Sequence, residues 1–368
     1  MTLSTEQLKR YARHLSLAEV GVNGQTALSQ ARVLCVGAGG LGSAVLPYLA
    51  ASGIGYIGIV DGDKVELSNL QRQILFTETD IGQPKAQVAA KRLIAMNADL
   101  NVQVHDEFLT EDNAFDILAD YDIVVDGSDN FFTRYLINDV CWFLKKPNIA
   151  ASILQFEGQC SIYTAPNGPC FRCLYPEPPS ADAAPNCAEA GVLGVLPGWF
   201  GIVQATEVVK IILGLGESLV GRLLIYDALQ MRTRELSIAV DPECPLCGKQ
   251  QAFETLPRTL RSCDMSVETI SANELNDVLA DVTLVDVREP HEYEICHLLN
   301  ATLIPLGEIA ERYAEIDSSK PIVVYCKSGF RSEQAAVILQ QVGVTNVRNL
   351  TGGIFSWIDS VDSSLEKY

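Results

Sequence analysis

The sequence has little positive charge for its size: 27 lysines and arginines stand against 46 aspartates and glutamates, a formal net charge of −19 over 368 residues. A general nucleic-acid binder needs a basic footprint, so that class is excluded, whereas an anionic small ligand held by a few local cations is not. The start, MTLSTEQLKRYARHL, lacks the apolar core of a signal peptide. Long uninterrupted apolar runs are also missing. The most apolar stretch, VLGVLPGWFGIVQATEVVKIILGLG, carries Pro197, Gln204, Glu207 and Lys210 and reads as a buried helix after a turn, which excludes a membrane span. No repeat relates the two ends of the chain. Cysteine is not scarce. Eleven cysteines without a secretion signal point to a reducing, cytoplasmic setting, where thiols serve as metal ligands or nucleophiles.

The fold class expected is α/β in two parts. Residues 1–250 alternate strand patterns (RVLCVG, IGIVD, DIVVDG) with helical ones such as PKAQVAAKRLIAMN, which implies a mostly parallel, Rossmann-like sheet. CLYPEPPSADAAPNCAEAG reads as a long exposed crossover loop, and residues 251–266 read as a linker. From residue 267 to 368 a second, smaller α/β domain follows. Its first helix opens on a capping box, Ser271 with Glu274, and VTLVDV and IVVYC read as buried strands.

VLCVGAGGLGSAVLPYLA places Gly37, Gly39, Gly40 and Gly42 in a G-x-G-x-x-G turn between strand and helix, where backbone amides approach phosphates. Asp61, ending the next strand, stands where a ribose-binding acid is expected. On these features alone a dinucleotide dehydrogenase is the plainer reading. The next connection, DGDKVELSNLQRQ, adds Asp63, Asn69, Arg72 and Gln73, and IGQPKAQ puts Lys85 at a helix start. So many cations and amides suit a triphosphate being split, because charge grows on its bridging and leaving oxygens. IVVDGSDNFFTR contributes Asp126, Asp129, Asn130 and Arg134. A carboxylate at that strand edge suits a magnesium ion bridging phosphates, while a surface salt bridge is the plain alternative for Arg134.

The run from RYARHLSLAEVGVNGQ through GAGGLG, the SNLQRQ connection, GQPKA and DGSDNFFTR resembles the bacterial adenylyltransferases for molybdopterin-synthase and thiamine sulfur carriers, relatives of ubiquitin-activating enzymes. The resemblance covers nearly all of residues 1–250. It implies ATP- and magnesium-dependent adenylation of the C-terminal glycine of a small ubiquitin-like carrier ending in Gly-Gly, by a homodimer. It also implies Gly39, Asp61, Asn69, Arg72, Lys85 and Asp129 at ATP or magnesium, and Arg13 reaching into the partner subunit's site. The chemistry agrees: attack of a carboxylate on the α-phosphate makes a mixed anhydride, and needs two anions positioned with their repulsion neutralised and no general base.

Cys170 and Cys173 form one C-x-x-C, and Cys244 and Cys247 another. Two such knuckles predict a closed tetrathiolate zinc site of structural type, with a redox pair as the rival. The same family carries such a site. Cys187, in PNCAEAGVLG, has no nearby partner; it is either an inert loop thiol or, as the resemblance implies, a candidate for a transient bond to carrier or sulfur donor. Cys35, Cys141 and Cys160 sit in apolar contexts and read as core, and Cys263 falls in the linker.

In VVYCKSGFRS a strand runs into Cys326, followed by Lys327, Gly329 and Arg331 and then a helix. Amides of such a turn, the helix N-terminus and Arg331 all favour a thiolate. TLVDVREPHEYEICHL and this loop resemble the single-domain rhodaneses over roughly residues 267–368, which implies Cys326 as carrier of a persulfide taken from a sulfur donor. The C-x4-R spacing is shorter than the C-x5-R of related phosphatases and favours sulfur over phosphate. Asp286 and Arg288 read as braces. Where that family usually has Gly-His-Ile-Pro-Gly-Ala, this chain has CHLLNA, with Cys296, Leu299 and Asn300. The two resemblances together imply an acyl-adenylate made by the first domain and displaced by sulfur from Cys326, with fusion raising the local concentration of donor. The product is a thiocarboxylate on the carrier, molybdopterin synthase's small subunit or a thiamine carrier. An NAD-dependent oxidoreductase with an appended sulfur-binding domain, and a non-catalytic carrier scaffold, stay open as rivals.

Overall fold

The computed structural model describes residues 3–177, 191–248 and 267–368. These fall into two compact units, residues 3–177 with 191–248 in the first and 267–368 in the second.

The first unit is built on an eight-stranded sheet. Its strands are β1 (Arg32–Val36), β2 (Tyr56–Val60), β3 (Asn101–His105), β4 (Ile123–Asp126), β5 (Asn148–Leu154), β6 (Glu157–Tyr163), β7 (Arg222–Asp227) and β8 (Arg232–Ser237). They lie in the order β3-β2-β1-β4-β5-β6-β7-β8. The first five in that order are parallel and the last three antiparallel. The central strands are apolar on both faces because helices cover both, as a parallel sheet requires. Cys35, Cys141 and Cys160 are buried there, and burial pushes all three thiols up, so they are inert core.

The helix Leu196–Leu213 is long and apolar enough to cross a bilayer by length and composition, yet it packs on β5 and on the Gly42–Ser52 helix. Two of its buried polar side chains bind other parts of the fold. Gln204 Nε2 donates to Asp126 O and Ile149 O, tying together the ends of β4 and β5. Glu207 accepts from Leu219 N and Lys210 Nζ.

The second unit is a five-stranded parallel sheet of β9 (Glu268–Ile270), β10 (Thr283–Asp286), β11 (Thr302–Leu303), β12 (Ile322–Tyr325) and β13 (Val347–Leu350), in the order β11-β10-β12-β13-β9. The Ser271–Glu274 capping box forms as expected: each side chain accepts from the other residue's N–H, at 3.3 and 2.9 Å. Asn300 adopts φ +65. The CHLLNA segment thus makes a left-handed turn at Asn300, a region that asparagine tolerates better than most side chains.

Candidate active sites

The first site is a cleft at the carboxyl edge of β1, β2 and β4, with about 980 Å³ of open space. Gly37 has φ +92, and a Cβ there would lie 2.9 Å from Gly127 O. A Cβ on Gly42 would lie 2.1 Å from Gly37 O, so this third glycine serves helix–strand packing. Gly42 is absent from the cleft wall, whereas Gly37, Gly39 and Gly40 line it. Asp61 Oδ2 accepts from Ala38 N at 2.8 Å and Oδ1 from Asp63 N at 2.9 Å, which ties the glycine turn to the loop after β2. Burial pushes the Asp61 carboxyl up, against the opposing pull of Lys85 and the two N–H groups.

Lys85 opens the Lys85–Met96 helix, is buried, and reaches Asp63 Oδ2 at 2.9 Å. Arg72, Asp63, Asp129 and Asn130 also line the cleft. Two asparagines also hold the local backbone. Asn69 is absent from the cleft wall: its Oδ1 accepts from Glu66 N at 3.1 Å, so it fixes the turn that carries Arg72. Asn130 lines the cleft, but its Oδ1 caps the Phe131–Leu144 helix through Thr133 N at 2.9 Å. Arg134 is not on the surface. It is buried and donates to Ala151 O and Ser128 O, bracing the loop after β4 against β5. Arg13 lies exposed on the Ala12–Leu15 helix, away from this cleft wall. Cys187 and Cys263 lie outside the described residues. Glu107 and Phe108, after β3, also line the cleft; their sequence carries no motif that singles them out.

The two C-x-x-C knuckles meet. The four sulfurs lie within 4.8 Å of one another, with Cys170–Cys173 at 3.9 Å, Cys170–Cys244 at 3.5 Å and Cys173–Cys247 at 3.1 Å. Zinc–sulfur bonds of about 2.3 Å in a tetrahedron put sulfurs about 3.8 Å apart, so the residues fit that ion.

The third site is the Cys326 loop. Cys326 directly follows β12 and is buried. Gly329 N lies 3.2 Å and Ser332 Oγ 3.4 Å from its sulfur. Gly329 has φ +98, and a Cβ there would lie 3.1 Å from Gly352 N. Arg331 has a partner that its sequence neighbourhood does not reveal. Its guanidinium makes a bidentate pair with Glu292, at 2.6 and 2.8 Å, so a buried carboxylate shares its charge. Burial alone would push Glu292 up. The Arg331 hydrogen bonds outweigh it, with help from Glu289 N and the Tyr368 hydroxyl, and the carboxyl is pushed down to about 2. Asp286 and Arg288 form a buried pair. Arg288 also donates to Cys296 O and to the Tyr368 hydroxyl, so the brace holds the segment that carries Glu292. Sequence reasoning missed Ser332, Asn349 and Glu292. Ser332 alone had a local signal, as the residue after the arginine.

A Rossmann-like unit with an anion-binding cleft and a thiolate cluster, on one chain with a parallel α/β unit that cradles a strand-end cysteine, defines a nucleotide-using enzyme coupled to thiol chemistry. Residues 11–246 match the ThiF family and residues 271–360 the rhodanese-like domain. The chain belongs to the ThiF family and carries a C-terminal rhodanese-like domain. It is 42% identical, over all of its length and 96% of the relative's, to the probable adenylyltransferase/sulfurtransferase MoeZ of Mycobacterium tuberculosis. It is 38% identical to the adenylyltransferase and sulfurtransferase MOCS3 of Culex quinquefasciatus, over all of this chain and 90% of that one. Among solved structures, E. coli MccB with ATP shares the fold at TM-score 0.57 and 24% identity, over 65% of this chain and 74% of that one.

Proposed function

We propose that the chain uses ATP to adenylate the C-terminal carboxylate of a small ubiquitin-like sulfur carrier, then transfers sulfur through Cys326 to give a thiocarboxylate. The observation that carries this reading is the occurrence, on one chain, of a cation-bearing nucleotide cleft and a cysteine cradled at a strand end. Full-length relatives named adenylyltransferase and sulfurtransferase support it. In this reading Gly37, Gly39 and Gly40 offer backbone amides to phosphates. Arg72 and Lys85 neutralise the approach of carboxylate to α-phosphate, with Asp61 at the ribose. Asp129 and Asp63 are oxygen donors of the type magnesium takes, and that ion supplies charge neutralisation when bound. Arg13, exposed and absent from its own cleft wall, fits a role across a homodimer. The four-cysteine cluster holds structural zinc. Domain limits follow as 1–250 and 267–368 with 251–266 as linker, in a cytoplasmic protein. Cys187 is a candidate thiol for holding carrier or donor, and the sulfur itself comes from a persulfide donor.

Cys326→Ala tests the reading, because the half-reactions use different groups. Carrier-dependent pyrophosphate exchange should persist near the wild-type rate, and mass spectrometry of the carrier should show no oxygen-to-sulfur exchange. Normal thiocarboxylate formation by this variant would remove sulfur transfer from the Cys326 loop.

A further inference from the structure

The cleft of the first unit has an aromatic residue in its wall that takes no part in holding phosphate. Phe108 follows β3, lines the cleft and is 64% exposed. A lone exposed aromatic is ordinary on an open surface. This one stands in a cleft wall, and its place there is fixed. Its neighbour Leu109 is buried in the core with residues of β2 and β4, which anchors the segment. A Cβ on Gly62 would lie 2.9 Å from the Phe108 ring and 2.9 Å from Phe108 N, so the ring rests on the bare backbone of the residue after Asp61. Asn113 holds the chain on either side: Nδ2 donates to Phe108 O at 3.0 Å and to Glu107 Oε2 at 2.8 Å, and Oδ1 accepts from Thr110 N at 2.8 Å. Asp61 N donates to His105 O at 3.2 Å, which joins the ends of β2 and β3.

β1, β2 and β3 are neighbours in the sheet, about 4.8 Å apart. Each brings a different group to the same edge. β1 leads into the glycine turn, β2 into Asp61 and β3 into Phe108. A nucleotide is built in the same order, phosphate then ribose then base. With phosphates at the turn and the ribose at Asp61, the base is carried toward β3. The group that meets it there is a flat apolar ring in contact with water. Stacking a base on that ring removes apolar surface from water on both partners. We infer that Phe108 is the base-binding residue of this cleft and stacks on the nucleobase of the bound nucleotide. The inference rests on the adenylating reading of the cleft and adds to it the group that grips the base. Gly37, Gly39, Gly40, Arg72 and Lys85 act on phosphates and Phe108 on the base, so the two ends of the ligand can be perturbed separately.

Isothermal titration calorimetry on the full chain tests it. ATP and inorganic tripolyphosphate, each with magnesium, are titrated into wild type, Phe108→Ala and Phe108→Tyr. Phe108 lies outside the buried core clusters, so both variants leave the core intact. Loss of one base–aromatic stack corresponds to about 5- to 150-fold in affinity. Phe108→Ala should therefore weaken ATP binding about tenfold and leave tripolyphosphate binding within about twofold of wild type. Phe108→Tyr keeps the ring face and should bind ATP within about twofold of wild type. An equal loss for ATP and tripolyphosphate would mean that the ring shapes the cleft and touches no base, which overturns the inference. So would a loss in Phe108→Tyr as large as in Phe108→Ala. ATP failing to bind wild type would overturn the adenylating reading and the inference with it, whereas wild-type ATP binding that Phe108→Ala leaves unchanged overturns the inference alone.

Discussion

Replacing Glu292 with glutamine should destabilise the second unit without touching Cys326. The carboxylate is buried beside Arg331, with N–O distances of 2.6 and 2.8 Å, and also accepts from Glu289 N at 3.0 Å and the Tyr368 hydroxyl at 2.9 Å. A carboxyl held at about 2 instead of the ordinary 4.5 corresponds to roughly 3 kcal/mol of preference for the ionised form in the folded unit. Glutamine keeps the shape and one acceptor but leaves the Arg331 guanidinium without the carboxylate that matches it. Breaking a buried pair from one side costs about 3–5 kcal/mol. A loss of about 3 kcal/mol in the unit is therefore expected at pH 7. Because folding depresses this carboxyl, its contribution is fully present above about pH 4.5 and fades as pH falls through about 2. The gap between wild type and Glu292→Gln should thus be constant from pH 7 to 5 and narrow below. Native-state hydrogen exchange on peptides spanning residues 322–341, in increasing urea, measures it in the full chain. A loss below about 1 kcal/mol at pH 7, or a gap that does not narrow on acidification, would refute the assignment of Arg331's charge to Glu292.

Cys244→Ser should release zinc and lower the melting temperature of the first unit, since a hydroxyl replaces a thiolate in a closed site; zinc stoichiometry and calorimetry check it, and unchanged values for both would remove the tetrathiolate. Asp129→Ala should abolish carrier-dependent pyrophosphate exchange with the fold intact by circular dichroism, because in the proposed reading Asp129 is a magnesium ligand and its loss leaves phosphate repulsion uncompensated; near-normal exchange would remove Asp129 from that role. Asn300→Val should cost the second unit about 1–2 kcal/mol in urea denaturation, since φ +65 disfavours a β-branched side chain; a neutral result would mean the turn refolds around the substitution.

What the sequence determined by itself is local. Strand and helix periodicity gave the two α/β units. The glycine spacing between a strand and a helix gave the phosphate-binding turn, and the Ser271–Glu274 box gave a helix start. Two cysteine knuckles announced a thiolate cluster, and a cysteine between a strand and a helix marked the reactive loop. Each of these signals lies within a few residues, where backbone geometry fixes which groups face each other. The tertiary structure decided how charge is spent. Arg331 reads as a cation for Cys326 because it is five residues away, yet it is matched by Glu292, which lies 39 residues upstream. Arg134 lines the cleft and donates to carbonyls on β5 and on its own loop, where a surface salt bridge was the plain alternative. Asn69 and Asn130 hold turns beside the cleft, because an asparagine near a helix start finds a backbone N–H sooner than a ligand. Asn349, on a strand of ordinary composition, reaches Ser332 and Gly329 only because β13 lies beside β12. A charge or amide can be counted in a sequence, but its partner is whichever group folding brings within about 3 Å, and that choice belongs to the sheet order and not to the spacing along the chain.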